Sequence, residues 1–154
     1  TPEELAEAVA AGSVSMGINS CALVQEHAPA RDGRIVRVET LNGRFLYACS
    51  VETGGFDLCL ADVCMIAPGK ASIQIEAITP PPEVIAAAEA IARASQIDVG
   101  GVEYLVDDRD GSVKFYDINA LSNFVADPVT VLGFDPHDAL IDYLVDRITA
   151  GKAV

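Results

Sequence analysis

The sequence predicts an α+β fold of antiparallel sheets with packed helices, and three observations carry that prediction. Asn42-Gly43 separates the runs "RIVRVETL" and "RFLYACSV", and both residues tolerate the positive φ of a two-residue type I′ hairpin turn. A second pair of strand-like runs, "GGVEYLV" and "KFYDIN", is joined across "DRDGS", where Gly111 suits the left-handed position of a three-residue loop. Two further stretches repeat apolar residues every three or four positions, the pattern of helices with one buried face.

From the start of the chain, Thr1 and Glu4 form a capping box, Pro2 suits the first helical position, and Gly12 fits just past the end of an opening helix. Residues 21–27, "CALVQEH", are expected as a short buried strand, and "ARDG" as the turn leading into residues 34–41. Residues 52–70 are rich in Gly without a clear period, which predicts a loop with one short helical turn. "ASIQIEAI" returns to strand. Pro80, Pro81 and Pro82 then separate it from a helix over about 83–95, whose Val84, Ile85, Ala88, Ile91 and Ala92 share one face. In the last helix Asp135 is the N-cap, Pro136 follows, Leu140, Ile141, Leu144, Val145 and Ile148 form the apolar stripe, and Gly151 stops it.

A chain of 154 residues, 51% of them apolar, suffices for one core or for two small lobes sharing one. Its 23 acidic and 10 basic residues give a formal net charge of -13, a field that repels phosphate backbones and anionic lipid surfaces. No nucleic acid and no membrane are expected as partners, and a bound nucleotide would need local cations. The sequence contains no apolar run of about eighteen residues and no basic-then-apolar leader, so a cytoplasmic location is expected. Cys21, Cys49, Cys59 and Cys64 lack zinc-site spacing and stand in apolar stretches, which predicts buried thiols. With His27 and His137 the only histidines, a histidine-rich metal site is not expected.

The chemistry concentrates in the second hairpin. A three-residue loop Arg109-Asp110-Gly111 places Glu103 opposite Asp117, and the period of two brings Asn119 and Phe115 out on the same face. Two like charges opposite each other destabilise a strand pair unless a cation or a shared proton lies between them. An oxygen-only set of two carboxylates and a carboxamide suits magnesium or manganese. A two-residue loop would instead put Glu103 opposite Tyr116 and leave Asp117 on the other face. The residues alone are equally consistent with a solvated acidic face.

"GGVEYLV" followed by "KFYDIN" resembles the metal-binding strands of the ATP-grasp ligases, in particular the RimK and glutathione-synthetase-like branch. The resemblance implies that Glu103, Asp117 and Asn119 are magnesium ligands that hold the phosphates of ATP. Asp117 departs from the family pattern, which has Glu there, and its reach is one methylene shorter. "VQEH" matches the family's hinge, so Gln25, Glu26, His27 and Ala28 are expected to contact adenine through an exposed strand edge. Arg37 matches a basic position after the hinge and is expected as the catalytic residue, facing phosphate or an acyl phosphate. The acidic position that contacts ribose in the branch is Ile35 here, with Asp32 as a substitute, and basic residues expected near "ACSVET" are absent.

The resemblance covers nearly the whole chain but only the C-terminal portion of the family's fold. A lysine strand and a Gly-rich hairpin are expected before the opening helix, and this sequence carries neither. The implied organisation is a partial ATP-grasp domain over 1–154, with helix, hinge strand and hairpin in 1–51 and a metal-binding sheet with helices in 52–154. The function it implies is part of an ATP- and magnesium-dependent carboxylate-amine ligase acting through an acyl phosphate. A small carboxylate or amine is then the expected substrate. The competing expectation is a non-catalytic remnant that serves as a nucleotide-binding or interaction module. Hydrolysis by the Glu103 and Asp117 pair ranks behind both, since nothing in the sequence supplies a cleft.

Overall fold

The computed structural model describes residues 1–16, 20–52, 74–120 and 122–151. Helix α1 (Pro2–Ala10) is followed by strands β1 (Ala30–Leu41), β2 (Arg44–Glu52) and β3 (Ile75–Ile78), then α2 (Pro82–Ala94), β4 (Val99–Asp107), β5 (Val113–Asn119), α3 (Pro128–Leu132) and α4 (Pro136–Thr149). The strands form one sheet in the order β3-β2-β1-β4-β5, and every neighbouring pair is antiparallel. The α+β class read from the sequence holds.

The Asn42-Gly43 turn forms as its residues dictate, with φ of 53° and 68° and Leu41 paired to Arg44. Because side chains alternate along a strand, each sheet face has its own cover. On one face Val38, Ala48, Val102 and Tyr104 pack against Val84, Ala88 and Ile91 of α2, whose Ala92 is also buried, the face that the spacing of this helix predicts. The other face holds two clusters. Ile35, Val51 and Leu105 form one, backed by Ala28, Ala30 and Tyr116. Tyr47, Cys49 and Phe124 form the other, backed by Val131 and Leu132 of α3 and Leu140 of α4.

Several expectations are corrected. Residues 21–27 form no strand: they run outside the sheet, with Leu23 81% and Val24 66% exposed. Their apolar character had suggested burial, but among the described residues no strand pairs with them. The "ARDG" signal makes an irregularity inside β1 instead of a turn before it. Asp32 and Gly33 take positive φ, and the pairing with β4 jumps from Ala30–Asp107 to Ile35–Leu105. In α4 Leu140 faces the core, whereas Ile141, Val145 and Ile148 are exposed, because an apolar stripe wider than the contact leaves one side uncovered. The short helix α3, preceded by Asp127 and closed by Gly133 in left-handed conformations, had no signal strong enough to call. Of the expected loop 52–70, residues 53–70 lie outside the described residues, as do Cys59 and Cys64.

The thiols also divide. Cys21 is exposed and Cys49 buried, and burial beside Glu39 pushes the Cys49 thiol up to about 11. Brief maleimide labelling of the folded protein at neutral pH is expected to modify Cys21 and spare Cys49 until denaturant is added. Peptide mapping by mass spectrometry reads the result, and labelling of Cys49 in the folded state would contradict this packing.

Candidate metal and nucleotide site

Two rows of side chains cross one face of the sheet. Pairing across β2, β1, β4 and β5 aligns Cys49, Arg37, Glu103 and Asp117 in the first row. The second row, two residues along each strand, aligns Tyr47, Glu39, Gly101 and Asn119. The sheet therefore brings together all three residues expected as metal donors, adds Arg37 beside them, and adds Glu39, which the sequence reading did not single out. Arg37 and Glu39 are two apart on a strand, so the alternation argument applied to the second hairpin would have found this pair in the first.

Glu39 and Glu103 are 1% and 2% exposed and rank among the largest fully buried side chains of the protein. An ionised carboxylate so placed needs donors and an opposite charge, because desolvation alone costs several kcal/mol per ion even after relaxation. Arg37 supplies part of both. Its Nε donates to Glu39 Oε1 at 2.5 Å, its Nη1 to Glu103 Oε1 at 3.2 Å, and its Nη2 to Ser122 Oγ at 3.4 Å. Gly101 makes room for this crossing, since a Cβ there would lie 2.7 Å from Arg37 Nε. Tyr116 OH donates to Glu103 Oε2 at 2.8 Å. Glu39 Oε2 receives no hydrogen bond among the described residues.

The register around Glu103 settles the loop question in both directions. Glu103 faces Asp117 and Gly101 faces Asn119, as a three-residue loop requires, but nearer the turn Tyr104 faces Phe115, the pairing of a two-residue loop. A bulge between the two halves absorbs the difference and leaves Tyr116 as the extra residue. Phe115 therefore lies with Tyr104 on the α2 face and not beside Asp117 as expected, with ring centroids 5.7 Å apart. Tyr116 takes its place on the polar face. A bulge position has no local sequence signature, which is why Tyr116 was missed.

Asn119 Nδ2 donates to Glu103 Oε1 at 3.1 Å and to Asp117 Oδ2 at 3.0 Å. One donor thus stands between two carboxylates that face each other. Burial holds Glu103 above the usual carboxylate range, with Asp117 and Glu39 adding to the rise and the Tyr116 hydrogen bond and Arg37 opposing it. Burial lowers the Arg37 guanidinium, but Glu39 and Glu103 outweigh it and leave it raised. The oxygens of Glu103, Asp117 and Asn119 are of the kind that suits a divalent cation, and Glu39, Glu103 and Asp117 against Arg37 leave a formal excess of two negative charges on this face. Among the described residues no group of three or more His, Cys, Asp or Glu is placed to hold a metal, so this set depends on the Asn119 carboxamide.

The expected adenine segment meets the same hairpin. Gln25 Nε2 donates to the Tyr116 carbonyl at 3.4 Å, and the carbonyl of Pro29 accepts from Asp108 N at 2.9 Å. Ala28 packs with Ile35, Val51 and Leu105, whereas Gln25, Glu26 and His27 are exposed. Glu26 takes an ion pair of 2.7 Å from Arg109, whose guanidinium also grips Asp107 at 2.7 Å. Tyr116 therefore touches both parts, through its carbonyl to Gln25 and its hydroxyl to Glu103.

The Arg109 hydrogen bonds hold buried Asp107 down at about 2. A carboxylate depressed in the folded state contributes stability above its unfolded value near 4, and that contribution is lost as pH falls towards 2. The urea midpoint of the wild type is expected to exceed that of Asp107→Asn by a constant margin above about pH 5, with the margin closing below about pH 4. A margin independent of pH would contradict the pairing.

The fold of this sheet and its helices is shared with part of the ATP-grasp ligases of known structure. The structure resembles the ATP-grasp ligase PsnB complexed with a minimal precursor, with TM-score 0.61 and 21% identity over 80% of this chain and 37% of that one. It resembles PsnB complexed with minimal precursor, Mg and ADP at TM-score 0.56 and 21% identity, over 75% of this chain and 33% of that one. It also resembles the macrocyclase MdnC from Microcystis aeruginosa MRC, bound with precursor peptide MdnA, at TM-score 0.57 and 16% identity over 79% and 35%. The chain thus spans roughly a third of the length of these solved proteins. No family model matches the sequence, and no curated protein matches it. Among the described residues no helix is long and apolar enough to cross a membrane.

Proposed function

We propose that the chain is the metal- and nucleotide-holding portion of an ATP-dependent carboxylate-amine ligase. The observation that carries this reading is the facing pair Glu103 and Asp117 with one Asn119 amide hydrogen-bonded to both. Turning that amide presents its oxygen to the space its nitrogen now serves, and completes an oxygen set for magnesium or manganese. A bound magnesium would neutralise charge on the transferred phosphoryl group. The residues of this chain do the remainder: Glu103, Asp117 and Asn119 hold and orient, Tyr116 fixes the buried carboxylate, and the segment from Gln25 to Ala28 supplies backbone groups for adenine.

In this reaction class a substrate carboxylate takes the γ-phosphoryl of ATP, and an amine then displaces phosphate from the acyl phosphate to give an amide. PsnB and MdnC are solved with precursor peptides, which supports a carboxylate carried on a peptide over a free small molecule. Arg37 is a cation in contact with Glu103, and its Nη2 arm makes a long hydrogen bond to Ser122, which leaves it placed to reach an anionic oxygen. One observation favours the second reading, a nucleotide-binding module without ligase chemistry: Arg37 is already paired to two carboxylates.

Calorimetric titration with ATP or a non-hydrolysable analogue, with and without magnesium, tests the proposal. Binding that requires magnesium supports it, and the absence of binding by a folded chain refutes it for this chain.

A further inference from the structure

Glu39 occupies a place that the proposed metal site does not explain. It lies in the second row, its Oε1 takes the shortest of the Arg37 hydrogen bonds at 2.5 Å, and its Oε2 has no donor among the described residues. Arg37 sits directly opposite Glu103 across β1 and β4, close enough for the two-pronged pair that guanidinium and carboxylate groups frequently form. That pair does not form here. Only Nη1 reaches Glu103, at 3.2 Å, while Nε is drawn diagonally over Gly101 to Glu39.

We infer that Glu39 is a positioning residue that holds the Arg37 guanidinium off Glu103, so that Glu103 and Asp117 keep the two negative charges that a divalent cation requires. The charge balance follows from the pairing. Glu39 neutralises Arg37, and the facing carboxylates are left as a pair whose combined charge one magnesium offsets. Without Glu39 the guanidinium swings into a two-pronged pair with Glu103 and takes the place of half the cation. Gly101 is part of the same device, because any side chain there would occupy the crossing path. This inference rests on the metal site of the proposed function, and it adds a residue that touches neither metal nor nucleotide.

Two measurements decide it. A crystal structure of metal-free Glu39→Gln is expected to show Arg37 making two hydrogen bonds to Glu103, and an unmoved Arg37 would overturn the inference whether or not the protein binds metal. Magnesium titrations in the presence of a non-hydrolysable ATP analogue then compare wild type, Glu39→Gln, Arg37→Met and the double variant. Glu39→Gln should weaken magnesium about tenfold, as the loss of a supporting residue does, and should have no effect once Arg37 is Met. An equal loss in both backgrounds would mean that Glu39 acts on the metal by itself or on the fold, and would overturn the proposal. Thermal melts of all four proteins confirm folding, and the double variant, which removes the whole pair, remains informative if a single variant leaves a charge stranded. Failure of the wild type to bind magnesium with nucleotide would refute the proposed function, while the metal-free structure still decides the role of Glu39.

Discussion

Asp117→Asn is expected to leave the protein folded and to remove the proposed magnesium-dependent affinity for ATP. Asp117 is exposed, and among its polar contacts is the Asn119 amide at 3.0 Å, so replacing its charge strands no buried group and relieves its repulsion of buried Glu103. It is nevertheless one of only two carboxylates that face each other across β4 and β5. Loss of a residue that merely supports a metal ligand costs about 10- to 100-fold in affinity, so loss of a direct donor should cost at least about 100-fold. Calorimetry with and without magnesium measures the difference, and circular dichroism confirms the fold. Unchanged affinity would mean that the acidic face is a solvated one and that any nucleotide binds elsewhere.

Ile35→Ala has its largest effect on stability. Ile35 is 0% exposed and packs between Val51 and Leu105, with Ala28 and Tyr116 closing over them. Truncating a fully buried isoleucine removes apolar burial and leaves a cavity, which costs about 2–5 kcal/mol. The urea midpoint should fall accordingly with an unchanged slope. A loss below about 1 kcal/mol would show that this end of the sheet face is open rather than packed. The same burial bears on nucleotide contact. A side chain closed on all sides cannot touch a ribose, so Asp32, exposed on the irregular stretch of β1, is the acidic group left to propose for that role.

Glu103 and Tyr116 mark the boundary between what local sequence dictates and what it leaves open. A period of two and a three-residue turn at Gly111 predict that Glu103 faces Asp117 with Asn119 beside them. The pairing forms, but through the bulge at Tyr116 and not through that turn, next to which the strands pair in the other register. Tyr116 reaches the same face only because one extra residue is accommodated in β5, and the residues around it read equally well with or without that bulge. Likewise "CALVQEH" has a strand composition, but strands exist only as pairs, and no local feature tells whether a partner edge is free.

Local chemistry thus determined the elements: the capped first helix, the Asn42-Gly43 hairpin and the buried face of α2. These depend on residues close in sequence, whose backbone preferences and spacing act without the rest of the chain. Tertiary structure alone decided that β1 lies between β2 and β4, and hence that Arg37 comes opposite Glu103 and Glu39 opposite Gly101. Those contacts join residues more than sixty positions apart, and the order of strands that creates them is set by which faces can be buried together, a property of the whole sheet and not of any segment within it.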